Sequence, residues 1–267
     1  MRVLIACEYS GRTRDAFLRA GFDAMSCDLL PTEVPGPHYQ GDVRAVLDGW
    51  QPVMFQCECD PAECLCIGPT QDGIEYLEKN GTLFGRPIDR PQWDLMVAHP
   101  DCTYLTCSAE WAYGKGPYHQ KVKPETLVGD ARREARERAL EFVDLLFKAP
   151  IRHKAIENPK GVISTRIRPA SQYIQPNEYG HDASKITGLW LEELPLLVPT
   201  CHIPPRMVNG RPRWANQTDS GQNKLTPGPG RWKERARTYD GWSNAMADQW
   251  GRFLRGGGKH EMSTLRG

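Results

Sequence analysis

The sequence predicts a doubly wound α/β fold, because short apolar strands alternate with helices along the chain. Residues 3–6 form an apolar run, and residues 13–20 have helical spacing that ends at Gly21. Residues 23–27 read as a second strand, and residues 93–98 have the pattern of a buried one. Together these segments predict a mostly parallel sheet with helices on both faces.

The second half of the chain continues the alternation. Residues 130–148 form the longest predicted helix, with apolar side chains at helical spacing. Residues 153–156 form a predicted strand, and Pro159 is expected to stop its pairing. The remaining predictions are a strand over residues 186–191, a loop-dominated stretch over 200–230, a closing helix over 245–254 and a disordered tail over 256–267.

Composition excludes some classes of protein. Since no apolar run approaches the ~20 residues that cross a bilayer, we expect no membrane partner. The apolar start is too short for a secretory signal, which favours a cytoplasmic protein. The net charge of +1 does not indicate a nucleic-acid partner by itself. However, basic residues and tryptophans alternate in the last third, as in Arg213-Trp214 and Trp232-Lys233. This pattern suits phosphates and unstacked bases, or simply a solvated surface.

Four motifs at the predicted strand ends resemble those of one enzyme family. They are Ala6-Cys7-Glu8-Tyr9-Ser10-Gly11, Gly41-Asp42-Val43-Arg44, His99-Pro100-Asp101-Cys102-Thr103 and Ala155-Ile156-Glu157-Asn158-Pro159. Their order is similar to that of DNA cytosine carbon-5 methyltransferases, especially short phage-type members, which act in the cytoplasm of the host cell. The resemblance implies a Rossmann-like methyltransferase fold over residues 1–255. It also implies S-adenosylmethionine as the cofactor and DNA as the partner.

The nucleophile loop carries the strongest part of the resemblance. It usually reads Gly-Gly-Pro-Pro-Cys-Gln, and here His99, Asp101 and Thr103 replace a glycine, a proline and the glutamine. The resemblance implies that the Cys102 thiolate adds to carbon 6 of cytosine, while Glu157 protonates or hydrogen-bonds ring nitrogen 3. Carbon 5 then accepts the methyl group, and a base removes its proton to release the cysteine. We expect Asp101 to raise the pKa of the Cys102 thiol.

The resemblance also assigns the residues that bind the cofactor. Asp28 is expected to bind the ribose hydroxyls and Asp42 the adenine amino group, although either could instead cap a turn or helix. Residues 233–239 and 244–250 resemble the motif that completes the pocket. The full set of predicted cofactor-binding residues is Glu8, Tyr9, Ser10, Gly11, Asp28, Leu29, Asp42, Val43, Pro100 and Asn244.

The predicted substrate-binding residues are His99, Thr103, Asn158 and Lys185. Lys185 lies where the family carries Gln-x-Arg-x-Arg, so it is expected to contact a phosphate or a base. The target base must leave the duplex, because carbon 6 is attacked from above the ring plane. Residues 195–229 form a reduced target-recognition region, which predicts short or relaxed sequence specificity.

An insert over residues 51–92 is rich in cysteine. Cys57, Cys59, Cys64 and Cys66 form a C-x-C-x4-C-x-C pattern. Without a secretion signal, four close thiols favour a structural zinc site over disulfides, although C-x2-C spacing is the usual one. An iron–sulfur site and free thiols are the alternatives.

Two other functions fit the same motifs. One keeps the pyrimidine chemistry but uses another one-carbon donor, such as a folate, or a free nucleotide as the substrate. The first loop favours this alternative, because it keeps only Gly11 of the family's glycines. The other is a non-catalytic relative that binds nucleic acid, which the altered residues around Cys102 suggest.

Overall fold

A computed structural model describes residues 1–47, 51–53, 75–79, 82–86, 93–119, 122–225, 228 and 231–256. The strands in this part of the chain are β1 (Arg2–Ala6), β2 (Asp23–Asp28), β3 (His38–Gln40), β4 (Gln51–Val53), β5 (Glu75–Lys79), β6 (Thr82–Arg86), β7 (Leu95–Ala98), β8 (His153–Pro159), β9 (Gln172–Ile174), β10 (Thr187–Glu192), β11 (Arg206–Val208) and β12 (Arg211–Arg213). The α-helices are α1 (Arg12–Arg19), α2 (Val43–Leu47), α3 (Gly129–Lys148), α4 (Ile163–Arg166), α5 (Arg231–Ala236) and α6 (Asp240–Leu254).

A seven-stranded sheet of order β3-β2-β1-β7-β8-β10-β9 forms the centre of the fold. The pairs from β3 across to β8 are parallel. Strand β10 is antiparallel to both β8 and β9, so it alone runs against the others. The α/β class and the mostly parallel sheet are therefore confirmed.

Helices cover both faces of this sheet. Alternate residues of β1 point to opposite sides, as the period of a strand requires. Val3 and Ile5 belong to a core cluster with α1 and α6, whereas Leu4 and Ala6 belong to a second cluster with α2 and α3. Val3, Leu4 and Ile5 are completely buried, which stabilises the fold by about 1.5–3 kcal/mol for each such side chain. No helix in the described part combines the length and apolar character needed to cross a membrane.

Several elements differ from the sequence-based predictions. Strand β8 continues to Pro159, which lies opposite Thr187 of β10. The prediction that this proline stops the pairing was wrong, because proline lacks only its N–H and its φ allows extended backbone. Helix α6 begins at Asp240 rather than at residue 245. The stretch 200–230 contains the hairpin β11–β12, whose turn residues Asn209 and Gly210 have φ angles of 49° and 72°; this Asn-Gly pair is a strong hairpin signal.

The predicted insert includes β4, β5 and β6. These strands form a separate antiparallel sheet of order β4-β6-β5. The four cysteines of the predicted zinc site, Cys57, Cys59, Cys64 and Cys66, lie outside the described residues, as do residues 257–267 of the tail. Among the residues that are described, no group of three or more His, Cys, Asp or Glu side chains is arranged to hold a metal ion. The zinc site stays a prediction.

A buried arginine ties α1 to the chain that leads into β3. Arg14 has no exposed surface. Its guanidinium donates hydrogen bonds to Thr32 Oγ1 at 3.2 Å and to the carbonyl oxygens of Val34 and Pro35 at 3.1 and 3.2 Å. Its Nε pairs with Asp15 at 2.8 Å. The guanidinium has five N–H donors that point in several directions, so this one side chain holds residues 32–35 against α1.

We predict that Arg14→Met destabilises the protein by about 3 kcal/mol or more, because buried acceptors lose their donors. Urea denaturation followed by circular dichroism measures this change. Arg19→Met is the matched control, since Arg19 is exposed on the same helix and should change stability by no more than about 0.5 kcal/mol. Equal midpoints for the two variants would show that the buried network does not stabilise the fold.

Candidate active site

The order of the sheet reverses beside β1, and residues from several strand ends meet there. The chain runs from β1 outward to β2 and β3 and then crosses to β7 and β8 on the other side. In open α/β sheets such a switch point leaves a crevice where ligands bind. A cavity of about 360 Å³, here called the central cavity, lies there and has the size of a small-molecule site. The predicted residues on its walls are Glu8, Tyr9, Ser10, Asp28, Leu29, Asp42, Val43, His99, Pro100, Cys102, Glu157, Asn158 and Lys185.

The loop after β1 is folded around the carboxylate of Glu8. This side chain is 3% exposed, and it accepts hydrogen bonds from the backbone N–H groups of Thr13 at 2.7 Å and Arg14 at 3.3 Å. Ser10 Oγ donates a third bond at 3.0 Å. Gly11 precedes α1 with a φ of 73°, a conformation that glycine adopts without strain. The first turn of α1 is therefore capped by an internal negative charge, which leaves this helix end unfavourable for a phosphate.

Two carboxylates follow on the next strand and helix. Asp28 ends β2, and its Oδ1 accepts a hydrogen bond from the N–H of Leu30 at 2.9 Å. Burial raises the pKa of Asp28 above its ordinary value. Asp42 caps α2 through the N–H of Arg44 at 2.9 Å and also pairs with the guanidinium of that residue. Leu29 exposes 72% of its surface beside them. The capping role considered for Asp42 is thus present, and Asp42 lines the central cavity as well.

The loop that carries Cys102 is held in a fixed turn. The carbonyl oxygen of Cys102 accepts hydrogen bonds from the N–H groups of Leu105 at 3.1 Å and Thr106 at 3.2 Å. Asn158 on β8 donates from Nδ2 to the carbonyl oxygen of Pro100 at 2.7 Å. This bond joins β8 to the loop after β7, so that β8 positions the cysteine loop.

Neighbouring groups shift the pKa of the Cys102 thiol in opposite directions. Burial raises its pKa above the ordinary value, and the negative charges of Asp101 and Glu157 raise it further, whereas Lys185 lowers it. The expected effect of Asp101 is confirmed in direction, but burial is the larger cause. The carboxylate of Asp101 also accepts two hydrogen bonds from Thr103, from N–H at 3.0 Å and from Oγ1 at 2.7 Å.

Glu157 and His99 form a buried pair in the wall of the central cavity. Glu157 Oε2 lies 2.9 Å from His99 Nδ1, and each side chain is 8% exposed. Burial alone would raise the pKa of Glu157, but the hydrogen bond with His99 and the charge of Lys185 lower it below the ordinary value. Glu157 Oε1 is buried and has no hydrogen-bond partner in the described part of the chain. One carboxylate oxygen is thus fixed, while the other is left for a ligand.

The segment from α5 to α6 closes the cavity from above the strand ends. Tyr9 donates its hydroxyl to the carbonyl oxygen of Lys233 at 2.8 Å, and Lys185 Nζ donates to that of Arg235 at 3.2 Å. Glu33 and Arg237 form a two-bond ion pair at 2.8 and 2.9 Å. The segment contributes Arg235, Ala236 and Thr238 to the walls.

Three predicted residues do not line the central cavity. Gly11 serves as the turn before α1, and Thr103 is exposed beside Asp101. Asn244 is exposed on α6, where its Oδ1 accepts a hydrogen bond from Arg19 at 2.9 Å. Conversely, the wall includes Phe142 of α3. The helical pattern predicted an apolar packing position for this residue and not a place in the site.

A second cavity, of about 610 Å³, adjoins the first. The two share Cys102, Pro159, Lys185, Arg235 and Thr238. The second cavity is lined mainly by polar and charged residues that follow β8, precede β10, belong to the predicted recognition region or lie between α5 and α6, including Lys160, Ser184, Asn216, Asn223, Glu234 and Arg237. Cys102 thus contributes to the walls of both cavities, of which the first also contains Asp28 and Asp42.

Comparison with known proteins assigns no family. No protein-family model matches the chain, and no curated protein is significantly similar to it. Any function must therefore be inferred from the residues of the site themselves.

We predict that Asp101→Asn speeds alkylation of Cys102 by iodoacetamide about two- to threefold at pH 8, because losing a nearby negative charge lowers the thiol pKa. Lys185→Met should slow it, since a positive charge that favours the thiolate is lost. Peptide mass spectrometry measures the rate at Cys102, with the exposed thiol of Cys107 as the internal control. Equal rates at Cys102 in the three proteins would contradict this account of the thiol.

Proposed function

We propose that this chain is a DNA cytosine carbon-5 methyltransferase that uses S-adenosylmethionine. One observation carries the proposal: Cys102 of the loop after β7 and Glu157 of β8 line the same cavity as Asp28 and Asp42. The nucleophile, the acid and the acidic residues expected at the cofactor therefore lie around one space. The seven-stranded sheet is compatible with the Rossmann-like methyltransferase fold that the motifs imply.

The charges of the first loops favour a cofactor without phosphate. Glu8 already occupies the first turn of α1, where dinucleotide-binding folds place a pyrophosphate. Asp28 adds a second carboxylate to the same wall, and Asp42 adds a third that is paired with Arg44. S-adenosylmethionine suits this wall, because its sulfonium and ammonium groups outweigh its one carboxylate and it carries no phosphate. Folates and nucleotides have a net negative charge, so the carboxylates of this wall disfavour them.

The residues fit the cofactor in a simple arrangement. Asp28 and Asp42 would accept hydrogen bonds from ribose and adenine, with Leu29 and Val43 against the ring. When bound, S-adenosylmethionine supplies an electrophilic methyl group.

The chain's own groups activate the base. Cys102 Sγ forms a bond to carbon 6 of cytosine as its proton leaves to solvent, and Glu157 Oε1 holds a proton at ring nitrogen 3. This pair of contacts makes carbon 5 nucleophilic, and loss of the carbon-5 proton later breaks the bond to Cys102. The raised pKa of Cys102 and the lowered pKa of Glu157 mean that both groups must change protonation state when the base arrives.

The second cavity supports a polynucleotide rather than a free nucleotide. Lys160 adds positive charge beyond the space that one base needs, next to Lys185 and Arg235 of the shared wall, which suits a phosphate backbone. Asn216, from the predicted recognition region 195–229, lies in the same wall and is fixed by two hydrogen bonds to the backbone of Ser184 at 3.0 and 2.9 Å.

We predict that purified protein transfers labelled methyl groups from S-adenosylmethionine to DNA, and that nucleoside analysis finds the label in 5-methylcytosine. Cys102→Ser and Glu157→Gln should each lower kcat about a thousandfold, because neither the nucleophile nor the acid works alone. The double variant should be less than about tenfold worse than either single one.

Cys107→Ser is the matched control, since Cys107 is an exposed thiol in the second cavity, and it should keep its activity. Transfer by Cys102→Ser at the wild-type rate would refute the proposed mechanism. Binding of DNA without any transfer by the wild type would instead support a non-catalytic relative.

A further inference from the structure

His99 stands in the nucleophile loop where the resemblance leads one to expect a glycine, and its ring is turned toward Glu157. The two residues lie 58 positions apart in sequence and 2.9 Å apart in space. We propose that His99 is a positioning residue for Glu157, which binds carboxylate oxygen Oε2 and leaves Oε1 as the oxygen that meets the substrate. This inference rests on the proposed function for its catalytic consequence, but the positioning itself is a property of the free protein.

The hydrogen bonds around the ring support this role. On its far side, His99 Nε2 lies 3.5 Å from Thr13 Oγ1, and Thr13 Oγ1 lies 3.1 Å from Ser243 Oγ. Thr13 and Ser243 are completely buried. Because a hydroxyl can donate or accept, this pair accommodates either state of Nε2. The ring is therefore held between α1, α6 and β8, so that it cannot turn away from Glu157 without leaving buried groups unpaired.

The carboxylate shows the complementary pattern. Glu157 lies within β8 and is 6% exposed. Its Oε2 is bound by the ring of His99, whereas its Oε1 is buried without a partner in the described part of the chain. Since an unpaired buried oxygen is costly, the arrangement is complete only when a ligand donates to Oε1. Because His99 holds Oε2, Oε1 is the oxygen that remains to contact the substrate.

Other charges also face this pair. Lys185 acts on Glu157 together with His99, and Glu157 in turn acts on Cys102. Asp28, at the end of β2, lies on the wall of the same cavity. Of these groups, only His99 forms a hydrogen bond with the carboxylate in the described residues. Loss of the imidazole should therefore raise the pKa of Glu157, because burial then acts against the remaining charge of Lys185 alone.

The test measures the Glu157 carboxyl directly by 13C NMR titration, with Glu157→Gln to assign its signal. His99→Ala should raise the carboxyl pKa, whereas His99→Asn should hold it near the wild-type value, since Asn Nδ2 takes the place of the ring Nδ1 as a donor. Nitrogen-15 spectra of the wild type should show the tautomer with the proton on Nδ1. Since that last measurement needs no variant, it stands even if His99→Ala unfolds.

A kinetic readout separates positioning from general destabilisation. His99→Ala should lower kcat about ten- to a hundredfold, because a misplacement of about 1 Å in a reacting group can cost about a hundredfold. KM should change little, and His99→Asn should recover most of the loss. An unchanged Glu157 pKa in His99→Ala, or the Nε2–H tautomer in the wild type, would overturn the proposal. If the NMR results hold but no protein transfers methyl groups, the positioning stands and the proposed function fails.

Discussion

The reversal of strand order beside β1 is the constraint on which the candidate site depends. Because β2 and β7 lie on opposite sides of β1, the loops after β1 and β7 and the carboxyl end of β8 meet at one crevice. Glu8, Cys102 and Glu157 meet there although they are far apart in the sequence. The hydrogen bond from Asn158 to the carbonyl of Pro100 then joins the end of β8 to the cysteine loop.

Among the described residues in the wall of the central cavity, most polar groups have partners inside the protein, but two buried oxygens do not. The carboxylate of Glu8 is occupied by α1, and Asn158 Nδ2 and Glu157 Oε2 also have partners. Glu157 Oε1 and Asn158 Oδ1, by contrast, are buried without partners in the described part of the chain. Buried oxygens that lack donors indicate a ligand that brings them. The amino group of cytosine, together with a protonated ring nitrogen, has this donor character.

The sequence predicted the strands with strong apolar patterns and most of the residues on the cavity wall, because strand ends converge in a parallel sheet. It did not predict β3 and β9, which at three residues each are too short for a period to show. The hydrogen bond between His99 and Glu157 could not be predicted either, since local sequence patterns do not show contacts between residues that are far apart in the chain. Asn244 was predicted in the pocket but faces Arg19, because the rotation of α6 about its axis depends on packing against the sheet. The buried neighbour Ser243 points inward instead.

The central claim is that Cys102 forms a covalent bond to a cytosine ring, and trapping tests it most directly. DNA containing 5-fluorocytosine cannot lose a proton from carbon 5, so that the bond to the cysteine should persist after denaturation. With S-adenosylmethionine present, mass spectrometry of the digested adduct should place the nucleotide on Cys102 in the wild type. An adduct that maps to Cys107, or that forms equally in Cys102→Ser, would contradict the account.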